Sequence, residues 1–71
     1  MNLGENIKAA RKAAGLTQGE LGKLLDVSQN EVSRWEINKI VPNVITFAEI
    51  CKALNVSADE ILELKKRGNS L

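Results

Sequence analysis

Seventy-one residues are the length of one small domain, and a single Cys with no His removes both a disulfide pair and a metal set as staples. Hydrophobic residues make up 44% of the chain and aromatic ones 3%, so the core must be aliphatic, a supply that suits packed helices better than a sheet. Ten basic and nine acidic residues leave a net charge of +1, so a nucleic-acid role cannot rest on the overall charge and must rest on where the charges sit.

The first predicted element is a helix over Leu3–Ala14. Leu3, Ile7, Ala10 and Ala14 fall on one stripe at helical spacing, Lys8, Arg11 and Lys12 lie beside or opposite it, and Gly15 stops it. The second runs from Thr17 to Leu25. Thr17 and Glu20 form a capping box, and Leu21, Leu24 and Leu25 supply the apolar face. Asp26-Val27-Ser28 is a turn. The third helix spans Ser28 to about Ile37, with Ser28 and Glu31 as a second box, Val32 and Trp35 inward, and Asn38 as a left-handed terminator. Pro42 keeps Lys39–Asn43 a loop. The fourth helix covers Val44–Leu54, with Phe47, Ile50, Cys51 and Leu54 on one face and Asn55 at its end. A third box, Ser57 with Glu60, opens a last helix to about Leu64, and residues 65–71 form a polar tail. The expectation is an all-α domain of five short helices.

Two short helices joined by a tight turn make a helix-turn-helix, here residues 17–37. Leu21 is the early apolar residue, Gly22 the small residue at the helix approach, Asp26 the turn residue able to take positive φ, and Val27 the apolar plug. With Val32 and Trp35 inward, about 100° per residue turns Gln29, Asn30, Ser33, Arg34 and Ile37 outward. Gln and Asn can bond adenine bidentately in a major groove, and Arg can do so with guanine. A helix with Gln-Asn at its start and Ser-Arg one turn later is suited to reading base edges.

The stretch "TQGELGKLLDVSQNEVSRWE" resembles the helix-turn-helix of the Cro/cI-type phage repressors, or Xre family, whose members show T-Q-x-E-L-A, then G-V-S, then I-S-x-W-E, often followed by G-K and a Pro. "IKAARKAAGLTQ" is similar to the family's first helix and "PNVITFAEICKALNVSADEIL" to its fourth and fifth, so the likeness spans Ile7 to Leu62. The resemblance implies a five-helix, lambda-repressor-like fold over residues 1–64. It implies base reading by Gln29, Asn30, Ser33 and Arg34, and phosphate or outer-base contact from Gln18, Ser28 and Lys39; on a DNA-binding reading, Arg11 or Lys12 is expected to add to the phosphate contacts. It also implies an ion pair of Glu36 with Arg11. Three positions depart from the pattern. Gly22 replaces the usual Ala, at up to about 1 kcal/mol of helix propensity, and Asp26 and Asn38 each replace a Gly.

The bland readings are distinct. Glu31 could accept from a cytosine, but the box accounts for it structurally. Trp35 could stack on a base, but its phase puts it in the core. Cys51 is a buried small hydrophobe, and the "GELG" of Gly19–Gly22 lacks the flanking strands of a backbone-clamping loop. Apolar Ile37, Ile40, Val41 and Val44, with Leu62 and Leu64, exceed what a small core absorbs and are expected at a homodimer interface, which the resemblance also implies. No nucleophile–base pair, P-loop or metal cluster is evident, so no enzyme, cofactor or small-molecule ligand is expected. With no signal or membrane-spanning segment, the chain reads as cytoplasmic. The expected function is a regulator that binds a palindromic site on double-stranded DNA as a dimer, most simply a repressor. A controller-type activator, or a protein-interaction module such as an antitoxin or adaptor, are the alternatives.

Overall fold

The computed structural model describes residues 1–63, and the expectations for Leu64 and residues 65–71 lie outside them. Five helices follow in order: α1 (Leu3–Ala13), α2 (Gln18–Leu25), α3 (Gln29–Glu36), α4 (Val44–Leu54) and α5 (Ala58–Leu62). There is no strand among the described residues. Every helix starts on a side chain that accepts a backbone N–H in the first turn: Asn2, Thr17, Ser28, Asn43 and Ser57. The ends are equally local. Asp26, Asn55 and Glu63 take left-handed φ at the ends of α2, α4 and α5, Asn38 does so just past α3, and Gly15 stands at φ +77° after α1.

The core takes a contribution from each helix: Ile7, Leu21, Val32 and Trp35, then Ile50, Cys51, Leu54 and Ile61. α1 packs against α3 and α5, α2 against α3 and α4, and α4 against α5. This holds α3 from behind on two sides. Asn6 of α1 also donates to Ile61 O at 2.7 Å and to Glu63 Oε2 at 3.0 Å, satisfying the end of α5.

Four sequence expectations are corrected. Leu24 is 61% exposed. The close seating of Gly22 against Val27 and Ser28 turns the arc of Leu21, Gly22 and Leu25 inward and leaves Leu24 on the rim. Ala14 is exposed because it caps α1 where the stripe outruns the packing. α5 stops at Leu62, since Glu63 adopts φ 63°. The box at Ser28 is half made: Ser28 accepts from Glu31 N, but no return bond from the Glu31 carboxylate closes it.

Candidate nucleic-acid interface

α3 is divided sharply by burial. Val32 is fully buried and Trp35 is 2% exposed, while Gln29, Asn30 and Arg34 are exposed and Ser33 is half-buried. The predicted outward fan therefore forms one face, with Ile37 at its lower edge. The turn before it is fixed by two contacts. Val27 N–H donates to Gly22 O at 2.9 Å, and a Cβ on Gly22 would lie 2.7 Å from Val27 O.

A chain of polar side chains runs from the interior to this face. Arg11 donates from Nε to Glu36 Oε2 at 2.6 Å and from Nη2 to Oε1 at 3.1 Å, a bidentate pair with both side chains buried. Arg11 Nη1 donates to Leu16 O at 2.8 Å. Gln18 Nε2 donates to Glu36 Oε1 at 3.0 Å, and its Oε1 receives Gln29 Nε2 at 3.4 Å. Burial pushes the Glu36 carboxyl up, but hydrogen bonds from Arg11 and Gln18 and the charges of Arg11 and Lys8 outweigh it, and the net shift is downward. Glu36 is held as a carboxylate that orients Gln18, and Gln18 orients Gln29.

The expected phosphate contacts divide accordingly. Arg11 is buried and its donors are committed to Glu36 and Leu16, so it is a structural residue and not a surface contact. Lys12 and Lys39 are exposed, Ser28 caps α3, and Gln18 stands at the start of α2 beside Gln29. Lys39 is placed by its backbone: its N–H and that of Ile40 both donate to Arg34 O, at 2.9 and 3.3 Å.

Three features escaped the sequence reading. Gly4 packs on the end of α3, where a Cβ would lie 2.5 Å from Glu36 O and 2.6 Å from Trp35 O. Asn38 accepts from Gly4 N–H at 2.9 Å and donates to Asn2 Oδ1 at 2.7 Å, so the start of α1 is clasped to the exit of α3. Lys8 follows Gly4 by one turn and adds its charge beside Glu36. The one available signal was an isolated Gly inside a helical pattern.

The apolar residues of the α3–α4 connection stay uncovered. Ile37, Ile40, Val41 and Val44 are 38 to 79% exposed, and Ile45, which the sequence reading did not single out, joins them at 71%. Leu62 is only half-buried. Cys51 is buried and burial pushes its thiol up, the opposite of a reactive cysteine. No helix among the described residues is long and apolar enough to cross a membrane.

Residues 7–61 match a family model described as helix-turn-helix. The chain belongs to this helix-turn-helix family, in its Cro/cI, or Xre, branch. Among curated relatives of this helix-turn-helix protein, the repressor protein C2 of Salmonella phage P22 is 38% identical over 61 residues, covering 86% of the chain and 28% of that repressor. The HTH-type transcriptional regulator ImmR of Bacillus subtilis is 36% identical over 62 residues, covering 87% of the chain and 49% of ImmR. The chain thus spans about half or less of the length of these relatives. Among solved structures, the P22 c2 repressor in complex with a synthetic operator superposes with a TM-score of 0.79 at 36% identity, covering 86% of the chain and 92% of that chain. Five helices in the same arrangement make the fold that of a repressor DNA-binding domain.

Proposed function

We propose that this helix-turn-helix protein is a sequence-specific double-stranded DNA-binding transcriptional regulator, a repressor that occupies a near-palindromic operator as a dimer. The observation that carries this reading is the face of α3. It presents Gln29, Asn30 and Arg34 to solvent, with Ser33 at its flank, over a back fully committed to the core. The superposable P22 c2 repressor was crystallised on an operator, which supports the same use of this face.

Gln29, Asn30, Ser33 and Arg34 read base edges in the major groove. Gln18, Ser28, Lys12 and Lys39 hold phosphates and set the register without carrying sequence information. The N-termini of α2 and α3 add their unpaired N–H groups and positive dipole ends. A second copy covers the apolar strip from Ile37 to Ile45 and places its own α3 one helical turn away, about 34 Å. Repression follows from occupying a promoter.

Selection of bound sites from a random duplex library, at moderate and then high salt, tests this. The expected result is a palindromic consensus with half-sites one turn apart, lost at high salt as counterion release weakens. Replacing Gln29 or Asn30 by Ala then costs about 1–3 kcal/mol at one base position. No enrichment by folded protein refutes the proposal. The exposed strip and the +1 charge favour one other reading, a protein-interaction module, and salt separates the two. An apolar protein interface holds at salt concentrations that release DNA.

A further inference from the structure

Glu31 is the third residue of α3, and two equivalent positions show what a carboxylate there does when it serves a helix start. Glu20 accepts from Thr17 N–H at 2.8 Å and Glu60 from Ser57 N–H at 2.9 Å, each closing a reciprocal box. Glu31 does not close one. Its backbone N–H is taken by Ser28 Oγ at 3.1 Å, but its carboxylate lies 3.9 Å from Arg34 Nη1, one turn along the same helix. Both side chains keep access to solvent, 34% for Glu31 and 48% for Arg34. A carboxylate released from capping duty thus sits beside the cation at the edge of the outward face.

A negative charge on a helix that approaches phosphates is repelled unless a donor meets it. In the major groove cytosine offers its N4 amino group, which Glu accepts, and guanine offers O6 and N7, which Arg takes bidentately. A G·C pair displays these side by side. An acid and a base three residues apart on one helix turn match that edge in polarity.

We propose that Glu31 is a specificity-determining residue that forms, with Arg34, one reading pair for a G·C step, Glu31 accepting from the cytosine N4 amino group and holding Arg34 toward the guanine. The inference rests on the DNA-reading function proposed above. It reverses the sequence-based assignment of Glu31 to the helix cap.

Site selection with the wild-type chain, E31Q, E31A and R34A tests it, alongside thermal unfolding of E31A and E20A. The expected wild-type consensus holds a fixed G·C pair that R34A and E31A both relax, at the same position. E31Q, whose amide both donates and accepts, shifts that position toward adenine and loses about tenfold on the wild-type site. E31A melts close to the wild type, whereas E20A, which breaks a closed box, melts lower. A wild-type consensus reproduced unchanged by E31Q and E31A overturns the assignment alone, leaving the DNA-reading function standing. So does an E31A variant that melts with E20A and binds every site uniformly less. A wild-type chain that enriches no site overturns the function and the assignment together.

Discussion

Glu36 carries three hydrogen bonds on two oxygens, two from Arg11 and one from Gln18. A buried carboxylate so placed is costly to leave half-partnered. Removing one member of a buried ion pair costs about 3–5 kcal/mol, since the other charge stays desolvated. Arg11→Met is therefore expected to lower the free energy of unfolding by that amount in urea titration. Combining Arg11→Met with Glu36→Leu should recover most of the loss, because no charge is then left buried alone. A double variant no more stable than R11M would show that the pair is not a buried desolvated one. The acid response follows from the direction of the Glu36 shift. Its folded pKa lies below the ordinary 4.5, so the pair's stabilisation is present above 4.5 and is lost as pH falls through the lower, folded value. In E36Q that part of the acid sensitivity should vanish, which urea midpoints across acid pH would reveal.

At the scale of the element, the start of α1 and the end of α3 are held by geometry that leaves no room for a methyl group. Gly4→Ala gains helix propensity, up to about 1 kcal/mol. The added carbon meets two backbone carbonyls that cannot rotate away. Overpacking of this kind costs about 1–3 kcal/mol, so G4A should be net destabilising in urea melts. Gly19 is the control. A Cβ there meets only Thr17 Oγ1 at 3.9 Å, and G19A should stabilise by up to about 1 kcal/mol. The reverse order would mean that α1 does not seat on α3 as described. These elements also show what a sequence can disclose. The caps at Thr17 and Ser57, the left-handed Asp26 and the stop at Asn55 were legible because each is settled within four residues. The clasp of Asn38 to Asn2 and Gly4 spans more than thirty residues of chain, and no local pattern announces it. Leu24 failed for a related reason: periodicity identifies an apolar arc but not where a neighbouring helix stops covering it. Ser28 and Glu31 spell the same cap as Ser57 and Glu60, yet only one box closes, and the Glu31 carboxylate lies instead 3.9 Å from Arg34 Nη1.

For the whole molecule, the exposed strip from Ile37 to Ile45 is the feature that the fold alone leaves unaccounted for. Charged substitutions at exposed positions change monomer stability by only about 0.5 kcal/mol. The same charges buried in an interface without partners cost several times more. The double change Val41→Asp with Val44→Asp should therefore abolish self-association in sedimentation equilibrium while leaving the melting temperature of dilute protein in place. Self-association that survives both charges would move the interface elsewhere. The strip was legible as a surplus of apolar residues around Pro42, though Ile45 was read simply as part of α4. The reading face was legible once Val32 and Trp35 fixed the phase of α3, whereas the polar relay behind it needed three helices in place.

Trp35 has one more consequence. It is the only Trp of a chain without Tyr, and it stands on the reverse of the exposed face, packed in the core at 2% exposure. The near-ultraviolet spectrum therefore belongs almost wholly to one side chain that sees the interior and not the solvent front. Its emission registers whether α3 is seated, and ligands arriving on the opposite side of the helix leave the indole dry. Folding and recognition, which share a helix of eight residues, can for that reason be followed as separate optical events.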